Sequence, residues 1–235
     1  MLCKIADLLI DVPAAGGMTS RCKDYVTSEV EKADIVIRSE LYRPERYPNS
    51  DETLIAYLES GWQFYRQLLA FDGMLLHASA VAYEGRAYLF SGPCGMGKST
   101  HTRLWQQLFG EKAVVFNDDK PALRCLNGRW YAYGTPWCGK DGINVNTKVP
   151  LAGICFLKRG DENSIRPLSG LEGAKNLLAQ TLRRFKDESN LTLALSMVDR
   201  LMADIPLFEL KNRPEPDAAR LSYQTMRRAA EEVGL

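Results

Sequence analysis

The chain has 235 residues, 46% of them hydrophobic and 25% charged, with 30 basic and 29 acidic side chains and a formal net charge of +1. That balance supports a folded core and supplies no global field for nucleic acid or an anionic membrane, so neither is expected as a partner. The six cysteines include no C-x-x-C pair and have only His77 and His101 to help them, which argues against structural zinc.

The opening run MLCKIADLLIDVPAAGG is too short and too charged to span a bilayer and lacks the layout of a secretory signal. It reads as a strand over 3–12, and with scattered thiols it fits a cytoplasmic protein. A second strand is expected over 34–38, followed by the proline-rich connector YRPERYPNSDE. Residues 1–50 are expected as an N-terminal portion integrated with a catalytic domain spanning 51–235. From Asp51 the apolar residues fall at helical spacing, with Asp51 or Thr53 as N-cap.

Two β-rich runs, 74–83 and 86–91, flank Glu84-Gly85, a hairpin turn signal. The second run enters GPCGMGKS, and THTRLWQQLFG continues as a helix ending at Gly110. AVVFNDD (113–119) reads as a buried strand closing on two carboxylates. PALRCLNGRWYAYG reads as another hairpin with Asn127-Gly128 at its turn. LAGICFLKRG is a further strand, and 170–186, 188–203 and 217–233 read as amphipathic helices.

Residues Gly92, Gly97, Lys98 and Ser99 satisfy G-x-x-x-x-G-K-[ST], the Walker A pattern, with the required strand before and helix after. Glycines let successive N–H groups converge on phosphate oxygens, and the helix start adds its positive dipole end. Lys98 would reach the outer phosphates and the Ser99 hydroxyl would ligate Mg²⁺. The nucleotide-contacting stretch is therefore expected to be Gly92, Pro93, Cys94, Gly95, Met96, Gly97, Lys98, Ser99 and Thr100. Asp118 and Asp119 end the next strand, where a metal-side acid belongs. One acid could hold Mg²⁺ while its neighbour accepts a proton from an attacking hydroxyl, and the residues alone leave the division open. His77, on an apolar strand, is either a core residue or part of the site.

A strand that reaches the glycine loop as the second arm of a tight hairpin implies a mixed sheet. The sequence of His77, hairpin, glycine loop, helix and strand-Asp118-Asp119 resembles the catalytic domain of HPr kinase/phosphorylase. It is also similar to the nucleotide-binding half of phosphoenolpyruvate carboxykinases. The resemblance implies an α/β fold with a mixed β-sheet and flanking helices, and an ATP- and Mg²⁺-dependent kinase. Its acceptor would be the hydroxyl of a peptide, a protein or a small molecule. It implies Asp118 as general base with His77 beside it, and Ser99 with Asp119 as metal ligands. A non-transferring ATP-binding regulatory module and a carboxykinase- or phosphorylase-like enzyme are the alternatives.

Residues 134–142, GTPWCGKDG, form either a substrate wall with Trp137 and Lys140 or a surface crossing anchored by a buried Trp137. Lys140 and Arg159 are candidate substrate-facing cations, and Arg183 and Arg184 are candidates for stabilising transferring charge. Cys94 reads as a reactive thiol without a catalytic role. A homo-oligomer is compatible with everything above.

Overall fold

The structure, a computed structural model, describes residues 1–181 and 188–235. It is an α/β architecture with a mixed sheet and flanking helices, as expected. The N-terminal run is two strands, β1 (Leu2–Ile5) and β2 (Leu8–Asp11), in place of the single expected strand. Ala6 and Asp7, with φ of 53° and 60°, make a two-residue turn that folds the run back on itself. After a short helix α1 (Met18–Arg21), strand β3 (Ile35–Val36) pairs parallel to β2.

This three-stranded sheet covers helix α2 (Glu52–Leu68). Asp51 is its N-cap, accepting a hydrogen bond from the Leu54 N–H at 2.7 Å. Ile5, Ile10 and Ile35 share one buried cluster with Phe64, Leu68 and Trp137. The N-terminal sheet is thus packed on the same helix that walls the site described below.

The larger sheet contains β4 (Gly73–Leu75), β5 (Ala78–Tyr83), β6 (Arg86–Ser91), β7 (Val114–Asp119), β8 (Ala122–Leu126), β9 (Arg129–Tyr133) and β10 (Lys148–Arg159). Their order is β4-β8-β9-β10-β6-β5-β7. β11 (Ser164–Leu168) and β12 (Leu207–Asn212) join through β12, which runs parallel to β10. The expected arm 74–83 is divided, because β4 pairs with β8 while β5 pairs with β6 and β7. The expected turns do form: Glu84-Gly85 and Asn127-Gly128 all have positive φ.

β10 joins the two halves of the sheet. Its start pairs antiparallel with β9 and the rest runs parallel to β6, with a bulge between Leu151 and Gly153. Helices α3 (Lys98–Phe109) and α6 (Pro216–Glu232) pack on one side. α4 (Gly170–Thr181) and α5 (Glu188–Asp204) bury Leu177, Ala194, Met197 and Leu201 in the main apolar cluster. The end of the expected helix 170–186, with Arg183 and Arg184, lies outside the described residues. Among the described residues, no helix is long and apolar enough to cross a membrane.

Candidate active site

Strand register assembles the site. β5 lies between β6 and β7, and Ala78 is opposite both Ser91 and Asp119. The residue before β5, His77, therefore sits level with the residue after β6, Gly92, and with the end of β7. Ser79 is the cross-strand partner of Asp118, and such partners share a face. Both point at α3: the Ser79 and Thr102 hydroxyls are 2.8 Å apart, and the Ser99 hydroxyl donates to Asp118 Oδ1 at 3.0 Å. Alternation then turns Asp119 to the opposite face.

On the α3 face, the glycine loop connects β6 to α3. Gly92, Gly95 and Gly97 have φ of 147°, 77° and 91°. Gly97 is the left-handed N-cap of α3 and supplies no side chain, so the first-turn N–H groups have no side-chain cap. Lys98, 9% exposed, reaches back over the loop, and its ammonium donates to the carbonyls of Gly92 (2.9 Å) and Pro93 (3.2 Å). Cys94 is exposed. Beside the loop lies a cavity of about 370 Å³ whose lining includes Gly95, Met96, Thr100, Arg159 and Arg213.

On the other face, Asp119 is the centre of a dense polar cluster. His77 Nε2 lies 3.2 Å from Asp119 Oδ1, and His77 Nδ1 lies 3.0 Å from Gln180 Oε1. The Tyr57 hydroxyl donates to Asp119 Oδ2 at 3.1 Å. That hydroxyl in turn accepts from Lys120 Nζ at 2.8 Å and from the Gly139 N–H at 3.0 Å. Lys120 is also ion-paired directly with Asp119. Burial alone would raise the Asp119 pKa, but the His77 hydrogen bond and the Lys120 ammonium outweigh it. The carboxyl is held well below the usual carboxylate range. Asp119 also has φ of 131°, a strained backbone for a residue with a side chain.

Behind Asp119 opens a cavity of about 360 Å³, walled by Tyr57, Trp62 and Tyr65 of α2. Tyr57 is pushed above its ordinary pKa, chiefly by burial, so it stays a hydrogen-bond donor at neutral pH.

Two expected placements change. His77 sits beside Asp119 and not beside Asp118, because register sets it one step past the Ala78–Asp119 pair. Ser99 meets Asp118 and not Asp119, because adjacent strand residues point to opposite faces. Arg159 does reach the site region, donating to the Gly95 carbonyl at 3.3 Å, but it does so on the glycine-loop face. Lys140 is exposed, and among the described residues it makes no hydrogen bond or ion pair. Trp137 is wholly buried, stacked on Phe64 at 4.6 Å and donating to Ser60 Oγ at 3.0 Å, so it is the anchor of its loop. What the loop brings to the site is Gly139. It has φ of 68°, and a Cβ there would lie 3.1 Å from the Asp118 carbonyl.

Tyr57, Lys120 and Gln180 are site residues that sequence reasoning misses. Lys120 follows the acid pair directly and was the one within reach of a local pattern. Tyr57 and Gln180 arrive from α2 and α4 and carry no such signal.

A search of curated proteins finds no match. Among solved structures, the Hpr(Ser) kinase/phosphatase from Coxiella burnetii is similar at 13% identity and a TM-score of 0.38, covering 67% of this chain and 91% of that one. That likeness is distant, and it transfers no site residue. A family model described as "SynChlorMet cassette protein ScmC" matches residues 45–211, from the turn before α2 into β12, a span that includes the glycine loop, Asp118, Asp119 and the aromatic cavity. The chain belongs to the ScmC family.

Proposed function

We propose that the chain is a phosphotransferase that moves the γ-phosphoryl group of ATP, with Mg²⁺, to a hydroxyl acceptor. The observation that carries this reading is the back-to-back pair of carboxylates at one strand end. Asp118 faces Ser99 and the glycine loop, while Asp119 faces a walled cavity. In-line transfer needs a donor side and an acceptor side meeting at one point, and the end of β7 is such a point.

The donor side suits Mg²⁺. A hydroxyl and a carboxylate are hard oxygen donors, and this ion takes one or two protein oxygens and completes its shell with phosphate and water. Among the described residues there is no cluster of three His, Cys, Asp or Glu side chains that would form an all-protein cage, which fits that mode. Ser99 and Asp118 would hold the ion, which when bound supplies neutralisation of the phosphate charge. The loop N–H groups and Lys98 would grip the β- and γ-phosphates.

On the acceptor side, Asp119 would accept a hydrogen bond from the acceptor hydroxyl and then its proton. The acceptor O–P bond forms as the bond from γ-phosphorus to the ADP oxygen breaks, and the proton leaves through Asp119 to solvent. The low basicity of Asp119 suits a loose transition state, in which orientation of the hydroxyl counts for more than base strength. His77, Lys120 and Tyr57 hold the carboxylate in position. This division reverses the roles expected for the two acids.

Labelled ATP, Mg²⁺ and a panel of hydroxyl acceptors provide the test. Asp119→Asn is expected to cut transfer by about 10²–10⁴-fold while nucleotide binding persists. Asp118→Asn should instead raise the Mg²⁺ concentration required. Transfer undiminished in Asp119→Asn would sink the assignment. Stable ATP binding without transfer or hydrolysis for any acceptor would favour the regulatory-module alternative.

A further inference from the structure

Between β3 and α2, residues 39–50 pass beside the cavity behind Asp119 as a strap. Both of its ends are clamped to α2. The Arg38 N–H donates to Gln63 Oε1 and the Arg38 carbonyl accepts from Gln63 Nε2, each at 2.9 Å. At the far end Asp51 caps the helix. Between the clamps no residue is buried. Pro44 and Pro48 have no N–H to donate. The backbone-to-backbone hydrogen bonds of the strap, among the described residues, are local: Tyr42 to Ser39, Arg46 to Arg43, Tyr47 to Pro44 and Ser50 to Tyr47. A segment with exposed side chains and local hydrogen bonds opens at low cost.

What the strap meets on α2 is unfavourable to bury. Glu59 is 1% exposed, and neither of its carboxylate oxygens has a hydrogen-bond partner among the described residues. Its ion pair with Arg46 of the strap spans 3.7 Å, too far for a hydrogen bond. The hydroxyl of Tyr42, also on the strap, is buried and unpartnered as well. A carboxylate withdrawn from water without hydrogen bonds in return destabilises the closed arrangement, and opening relieves it. Arg46 also lies 5.7 Å from the Trp62 ring centre, and Tyr47 lines the cavity. Swinging the strap outward would move Arg46 off Trp62 and Tyr47 out of the cavity wall. The same movement would return Glu59 and Tyr42 to water.

We propose that residues 39–50 are a lid on this cavity, hinged at Arg38 and Asp51, that opens to admit the acceptor and closes over it. Closure shields the transferring phosphoryl group from water, and reopening releases the product. That the cavity holds an acceptor rests on the transfer reading above; the opening of the strap does not.

Glu59→Cys places a thiol beneath the strap, and its labelling by iodoacetamide, read by mass spectrometry, times its exposure. Buried Cys155 and exposed Cys94 are references within the same chain, each rate being scaled to that of the urea-unfolded protein. The new thiol is expected to label at least about tenfold faster than Cys155 and about tenfold slower than Cys94, without dependence on dilute urea. A rate that matches Cys155 and climbs with urea would mean that only global unfolding exposes the position, and it overturns the proposal. So does a rate equal to that of Cys94. Replacing residues 40–49 by a Gly/Ser run of equal length, checked by circular dichroism for an unchanged fold, should bring the thiol to the Cys94 rate. An unchanged rate there means that another element covers Glu59, and the lid fails. With labelled ATP and the acceptor panel, the Gly/Ser chain with Glu59 intact should shift the ratio of hydrolysis to transfer about tenfold towards water. A ratio equal to that of the natural chain overturns the closing role. Transfer to no acceptor by either chain counts against the transfer reading alone and leaves the labelling result standing.

Discussion

The two faces of the β7 end are built in different ways. The glycine-loop face is made largely of backbone from one continuous stretch, residues 92–100, with Asp118 added across the sheet. The aromatic face is made of side chains from α2, the start of β5, the end of β7 and the end of α4. A backbone site needs particular residues at fixed spacing, so it leaves a motif. A side-chain site needs only that distant segments converge, and each of its residues looks ordinary where it stands.

If that contrast holds, damage to the support of the aromatic face should be structural as well as functional. Trp137→Ala removes a buried indole stacked on Phe64 and hydrogen-bonded to Ser60. It is expected to destabilise the fold by about 3–5 kcal/mol, read as a lowered denaturation midpoint. It should also loosen acceptor binding, because Phe64 and Tyr65 pack on that ring. A variant with unchanged stability would show that the loop 134–142 is not anchored there.

Lys98→Ala tests the opposite face. A loss of about 10²–10³-fold in transfer is expected, with affinity for the acceptor unchanged. Loss of both together would mean that the faces are not separable. Gly139→Ala acts where they meet. With φ of 68° and a Cβ 3.1 Å from the Asp118 carbonyl, the substitution should cost about 1–3 kcal/mol. Transfer should fall further than either binding step, measured by titrating nucleotide and acceptor separately.

Acid stability separates two groups by pH window, since both lose their contribution as pH falls. Asp119 has a depressed folded pKa, so its contribution is present above the unfolded value of about 3.9 and is lost as pH falls. Asp119→Asn should flatten denaturant stability below about pH 4. His101 is pushed down to about 3 by burial. The unfolded chain therefore binds a proton below about pH 6.5 that the folded chain refuses, and stability declines from there towards pH 3. His101→Leu should remove that slope and leave the region above pH 7 alone. A slope that persists would show that the imidazole can charge within the fold. The smallest effect concerns Cys94, exposed on the loop. Nucleotide should slow its alkylation several-fold and a hydroxyl acceptor should not, as followed by mass spectrometry.

Much of the architecture was legible. The Asp51 cap, the Glu84-Gly85 and Asn127-Gly128 turns and the strand-loop-helix around GPCGMGKS follow from local chemistry. The break at Ala6-Asp7 was not, because neither residue advertises positive φ as glycine does. Strands β11 and β12 were missed as well. β12 holds a buried Glu209 that is ion-paired with Lys158 and Arg166 of neighbouring strands, a pairing invisible along the chain.

By itself the sequence determined that a glycine loop leads from a strand into a helix and that two carboxylates end a nearby strand. Both are consequences of residue type at short range, where backbone freedom and strand propensity act. Which acid faces which side was decided by tertiary structure. Register opposite Ala78 and Ser79 turns Asp118 to Ser99 and Asp119 to His77. A strand's alternation separates neighbours onto two faces, but only packing of α3 against one face and α2 and α4 against the other gives each face its chemistry.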